Sequence, residues 1–263
     1  MTKQIKKIVN ALKTLDLSAY PTESILEQFN SLSSLIPIIE TKFYPRRIII
    51  RGQLFNPDAD YTMVSRHSYK PHNLTTEYQR ANIPTKPMFY GAVTALTEKE
   101  DAPIARMTIM KEIGEIATNE KVLEETYIFS AWEVIEEIKL VTIIQNTGYE
   151  RPSALVQKLQ KQFKYTFRNT PGAEFMNYIS SEFAKADTED DFKYMISAWY
   201  SQIMCDFNYD GVIYPSVRMQ GASMNIAIKP EAVDQKLKFI SADKFIFKKE
   251  GMRITTLDHE YIL

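Results

Sequence analysis

The 263 residues suffice for one or two domains with a large core that needs no covalent staples. With 44% hydrophobic and 12% aromatic residues the chain is too apolar to stay disordered, and 32 basic against 33 acidic residues, net −1, leave no global field for nucleic acid or an anionic membrane surface. One cysteine, Cys205, excludes an intramolecular disulfide and a multi-thiolate metal site; with His67, His72 and His259 spread apart, no metal is expected, and a reducing cytoplasm is.

From the N-terminus, Met1–Lys7 carries lysines without an apolar signal core, and no run of about 18 apolar residues follows. Ile5, Ile8, Val9, Leu12 and Leu15 recur at helical spacing and predict an amphipathic helix over residues 3–15. After Pro21, Ile25, Leu26, Phe29, Leu32, Leu35 and Ile36 predict a second helix ending before Pro37. Residues 1–44 are therefore expected to form an N-terminal helical extension, a packing or dimerisation appendage, ahead of a main domain over 45–263.

The β-branched run at 46–51 predicts a buried strand. From Asn56 to Pro87 the chain turns rich in Pro, Asn and Thr and loses its periodicity. A loop this long inside a compact domain is usually functional, and Tyr61, Arg66, Tyr69, Tyr78 and Arg80 argue against disorder, so a ligand site is expected to begin here. His67 and His72 on this loop read as solvated side chains.

Met88–Val93 predicts a strand and residues 104–117 a helix. Strands near 127–134 and 139–144 are expected to pair as a hairpin. Helices follow over about 153–165, 174–185 and 190–206, the last capped by Asp190 or Asp191, with Trp132 and Trp199 in the core. Asp210–Ser216 is a turn feeding a strand, Ser223–Lys229 another, and 238–248 with 253–257 a final pair around Gly251. Strands scattered among helices without βα alternation predict an α+β fold. The acidic cluster Glu133, Glu136 and Glu137 reads as a solvated face.

Chemistry concentrates in a few places. Arg80 sits at a loop edge before the Phe89-Tyr90-Gly91 strand, where a guanidinium fork can meet a phosphate and a tyrosine a flat ring. Ser216 ends an apolar strand behind Pro215, and no Gly-x-Ser-x-Gly or histidine base accompanies it as a nucleophile would require. Glycine is scarce, with eight residues and no Gly-x-Gly-x-x-Gly, which argues against a dinucleotide fold using NAD as redox cofactor.

The set Arg80-Ala-Asn-x-Pro, Pro87-x-Phe-Tyr90-Gly-Ala, a glutamate on the following helix, and Asp210-Gly-Val-Ile-Tyr-Pro-Ser216-x-Arg with Gly221 and Asn225 resembles the RES domain family over roughly residues 48–228. The resemblance implies an ADP-ribosyltransferase-like fold, with mixed and antiparallel sheets and flanking helices. It also implies an NAD⁺-consuming activity that breaks the nicotinamide-ribose bond, by a glycohydrolase or phosphorylase route, and a toxin of a toxin-antitoxin pair. NAD⁺ is then substrate and no cofactor is needed. ADP-ribosyl transfer to a macromolecule, and an inactive nucleotide-binding or interaction protein of the same fold, remain as alternatives, and an antitoxin partner and a homodimer both stay open. Carried over by position, the family's arginines fall on Arg51 and Arg80, its tyrosine on Tyr90 and its serine on Ser216. Its glutamate falls on Glu112, with Glu115 in reserve and Glu98 or Glu100 if the apparent insertion at 94–103 lies elsewhere. Arg51 and Arg80 are expected at the pyrophosphate, Tyr90 against a ring, Glu112 at the ribose, Ser216 as an orienting hydroxyl and Asn225 as a bracing amide. The family's tryptophan beside the second arginine is absent, Ala81 standing there.

Overall fold

The computed structural model describes residues 2–32, 38–93, 102–144, 149–150, 152–168, 170, 172–185 and 190–263. Its helices are α1 (Thr2–Thr14), α2 (Thr22–Asn30), α3 (Ala102–Ile113), α4 (Ala154–Thr166), α5 (Gly172–Phe183), α6 (Met195–Asp206) and α7 (Pro230–Lys236). The strands are β1 (Glu40–Phe43), β2 (Ile48–Leu54), β3 (Phe89–Val93), β4 (Glu124–Val134), β5 (Ile138–Thr142), β6 (Gly211–Pro215), β7 (Met224–Ile228), β8 (Leu237–Glu250) and β9 (Arg253–Tyr261). They form one sheet in the order β1-β5-β6-β7-β3-β2-β4-β8-β9, and among the described residues only β5 and β6 run parallel. The chain is thus a mixed α and β protein built on a mostly antiparallel sheet.

The expected hairpin between the fourth and fifth strands does not form. β4 pairs with β2 and β8, whereas β5 pairs with β1 and β6. Ile135-Glu136-Glu137 has the length of a hairpin loop but serves as a corner. Facing it, residues 44–47 turn the other strand of the same ladder, with Arg46 N–H bonded to the Val134 carbonyl and Val134 N–H to that of Arg47. Antiparallel register carries through the bend, Ile48 opposite Glu133 on one side and Phe43 opposite Ile138 on the other. The ladder β1/β2 against β4/β5 therefore joins the two ends of the run β5-β6-β7-β3-β2, so the sheet curls back on itself.

Alternation along β4 assigns its two faces. Ile128, Ser130, Trp132 and Val134 point one way and Tyr127, Phe129 and Ala131 the other. On the first face Trp132 and Val134 join a large core with Ile5, Leu12, Phe29, Phe163, Phe175 and Ile196 from five of the helices. Residues 2–32 are therefore packed into the main core, and Glu40–Phe43 adds an edge strand to the sheet, so the first 44 residues are not wholly helical. On the second face Tyr127 and Phe129 pack under Ala105, Ile109 and Met110 of α3. Gly52 makes this approach workable: a Cβ there would lie 2.5 Å from an Ile109 methyl.

Several local expectations shift. The second helix ends at Asn30, and residues 33–37 lie outside the described set. Asp190 makes no side-chain cap and Asp191 does not cap α6. Residues 191–194 form a 3-10 turn, α6 starts at Met195, and the Asp191 carboxylate instead accepts from the Tyr20 hydroxyl (2.6 Å) and the Tyr78 amide (3.0 Å). That carboxylate ties the N-terminal segment to the Arg80 loop. His67 is buried, not solvated: Nε2 bonds the Tyr61 carbonyl at 2.8 Å, and burial pushes its pKa down. Trp132 is buried as expected; Trp199 only edges the core. No helix of the described residues is long and apolar enough to cross a membrane.

Candidate functional site

The long loop of 56–87 is held by short-range devices, including two 3-10 turns at Val64–His67 and His72–Leu74 and a bridge between Gln79 and Asn82. That bridge presents Arg80 at its tip. The Tyr90 hydroxyl, next door on β3, donates to Asn82 Oδ1 (2.8 Å) and accepts from the Ala81 amide (3.1 Å), so it locks the turn against the strand. Ala81 contributes a backbone donor to this lock.

The two arginines are fixed by main-chain carbonyls. Arg80 Nη1 donates to those of Phe183 and Lys185, and its guanidinium lies 5.2 Å over the Tyr194 ring. Arg51 Nη1 donates to the Tyr90 carbonyl at 3.0 Å, with the guanidinium 5.3 Å over Phe89. Arg51 Nε is buried without a partner, and burial pushes this guanidinium down to about 10. Arg51 is half-buried and lines the cleft, so a partly desolvated guanidinium faces any anion that enters it.

Glu112 closes α3. Its Oε1 accepts from Ser216 Oγ at 2.7 Å and from Asn225 Nδ2 at 2.8 Å, which brings the helix, the residue after β6 and the start of β7 to one carboxylate. Ser216 is wholly buried; its hydroxyl also accepts from the Met219 amide at 3.2 Å. It therefore stands behind the carboxylate and orients it rather than reaching into open space. The segment after it turns at Gly221, where φ is +74° and a Cβ would meet the Tyr149 ring at 2.7 Å, so only glycine fits.

A cleft opens over these groups in two lobes, of about 830 Å³ and about 320 Å³. Arg80, Glu112, Tyr214 and Asn225 border both lobes. Arg51, Lys70, Tyr90 and Tyr194 line only the larger, Lys185 and Arg218 only the smaller. A hollow of about 590 Å³ beside α1 and α5, lined by Lys13, Glu174 and Tyr178, gathers no comparable set.

Of the residues expected from the sequence, Arg51, Arg80, Tyr90, Glu112 and Asn225 all line the cleft, and Ser216 backs it. Glu115 does not: it lies past the end of α3, exposed, with Oε2 on Asn119. Glu98 and Glu100 fall outside the described residues, as do residues 94–101 of the apparent insertion; Pro103 lies in the first turn of α3. His67 and His72 do not line the cleft, and their ring nitrogens bond backbone carbonyls. Sequence reasoning missed Lys70, Tyr194 and Tyr214. Tyr214 stood inside the quoted Asp210–Ser216 motif and could have been found by strand alternation with Ser216. No group of three or more His, Cys, Asp or Glu side chains that could hold a metal occurs among the described residues.

No protein-family model matches the chain, and no curated protein matches it.

Proposed function

We propose that this cleft consumes NAD⁺ by breaking its nicotinamide-ribose bond, on an ADP-ribosyltransferase-like fold of the kind the resemblance to the RES domain family implies. The observation that carries the reading is the meeting of a doubly braced carboxylate, Glu112, with Arg51, Arg80, Tyr90 and Asn225 on one cavity wall. The larger lobe lies within the usual size range of nucleotide-sized ligand sites.

The chemistry follows from charge. As the bond breaks, its electron pair goes to the pyridinium nitrogen, and nicotinamide leaves neutral while the ribose gains oxocarbenium character. A fixed carboxylate stabilises that growing positive charge more than the ground state, and the Ser216 and Asn225 donors keep it from reorganising during the step. Water or phosphate then bonds to the ribose carbon; with water, the products are ADP-ribose, nicotinamide and one proton. Arg51 and Arg80 supply cations for the pyrophosphate, and both residues line the larger lobe.

The test is nicotinamide release from NAD⁺ by the purified chain, followed chromatographically with and without inorganic phosphate. Glu112→Gln is expected to slow release by about a hundredfold or more. A wild-type rate no higher than that of Glu112→Gln overturns the reading. Label from NAD⁺ appearing on protein or nucleic acid would instead mark a macromolecular acceptor.

A further inference from the structure

One turn before Glu112 on the same face of α3, Thr108 is wholly buried and its hydroxyl lies 2.7 Å from that of Ser223, itself wholly buried. Thr108 also bonds the Ile104 carbonyl at 2.8 Å, and the Ser223 carbonyl accepts from the Ser216 amide at 3.0 Å. Ser223 thus touches both sides: through its hydroxyl it holds α3, and through its backbone it holds the residue whose own hydroxyl braces Glu112. Arg218, from the intervening turn, donates to the Lys111 carbonyl and adds a third tie between the segment and the helix.

We infer that the Thr108–Ser223 pair is a positioning clamp for the Glu112 carboxylate. The physical reason lies in helix geometry. Residues four apart share a face, so fixing Thr108 against Ser223 fixes the rotation of α3 about its axis one turn below Glu112. Ile50, Phe129 and the neighbouring aromatics seat the helix on the sheet, and the buried hydroxyl pair adds a directional contact with one satisfying geometry. A shift of about 1 Å at a reacting group is enough to lower a rate by orders of magnitude.

The inference rests on the NAD⁺-cleaving reading for its kinetic test but not for its structural one. Thr108→Val leaves the Ser223 hydroxyl buried without a partner, so it mixes lost positioning with lost stability. Thr108→Val with Ser223→Ala removes both hydroxyls and restores an evenly apolar contact. The double variant is expected to melt near the wild-type temperature yet release nicotinamide roughly tenfold more slowly at saturating NAD⁺, with KM within about twofold, while Thr108→Ser restores the rate. A double variant that turns over at the wild-type rate overturns the clamp. So does a crystal structure of the double variant in which Glu112 Oε1 remains within hydrogen-bond distance of both Ser216 and Asn225. That second readout needs no turnover: if the wild type releases no nicotinamide, the reaction assigned above fails, and the crystal structure still decides the clamp.

Discussion

Asn225 donates from Nδ2 to Glu112 Oε1 across 2.8 Å, an amide of β7 facing a carboxylate of α3. On the strand Asn225 sits between Ala92 of β3 and Tyr214 of β6, so its backbone is fixed on both sides and the amide is delivered to one place. Replacing the donor by a second carboxylate sets like charges about 3 Å apart. Asn225→Asp is therefore expected to lower nicotinamide release by about a hundredfold and Asn225→Ala by about tenfold. If the alanine variant proves the slower of the two, the electrostatic account of this contact is wrong.

Arg51 is expected to show a trade between stability and binding. Burial holds its guanidinium down at about 10, so the folded chain disfavours the charged form. The penalty is in force at every pH below that value and is relieved only as pH climbs from about 10 towards the ordinary arginine range. Arg51→Met keeps the length and the contact with Phe89 but removes both the charge and the unpartnered Nε. The ligand-free variant is expected to melt about 2–4 °C higher, for a gain of about 1 kcal/mol, and to lose the stabilisation that ADP-ribose gives the wild type. Thermal melts with and without ADP-ribose measure both, and an undiminished ADP-ribose shift in the variant removes Arg51 from the anion site.

Cys205, on α6, is expected to be chemically quiet. Burial pushes its thiol up to about 12 from an ordinary 9.0, so at pH 8 there is almost no thiolate to attack a disulfide reagent. Because the folded value is the higher one, its contribution to stability is complete below about 9 and is lost as pH rises through 9 towards 12. Titration with an aromatic disulfide at pH 8 should release one equivalent of chromophore in denaturant and almost none without it; prompt reaction of the folded chain would contradict the burial.

The site was more legible in the sequence than the sheet. Arg80, Tyr90, Ser216 and Asn225 stand in short local patterns, and Glu112 was separable from Glu115 only by which side of α3 faces β7, a rotation that apolar periodicity constrains loosely. Lys70 and Tyr194 reach the cleft because distant segments fold over it, and no spacing within their own segments announces that. In the sheet, strands β2 to β9 stood near their expected places, but β1 was missed: Glu40 and Lys42 alternate with Thr41 and Phe43 over only four residues. The false hairpin has a similar origin. A three-residue link between β4 and β5 has the length of a tight turn, and only the matching bend at residues 44–47 reveals that the chain turns a corner instead. Helix α7 escaped notice because it has seven residues and begins on Pro230, a good first helical residue that also looks like a strand terminator.

The braces of Glu112 also set an order of events during synthesis. Ser216 and Asn225 lie 104 and 113 residues further along the chain, and Ser223 lies 115 beyond Thr108. A ribosome that has finished α3 at Ile113 must translate about a hundred further residues before even Ser216, the first of these partners, is made. Until then the carboxylate swings on an unclamped helix, and β3 lacks the neighbour, β7, that places Asn225 beside it. The nascent chain is thus without an assembled cleft throughout that interval, in which any factor that must restrain the folded protein can be made ready.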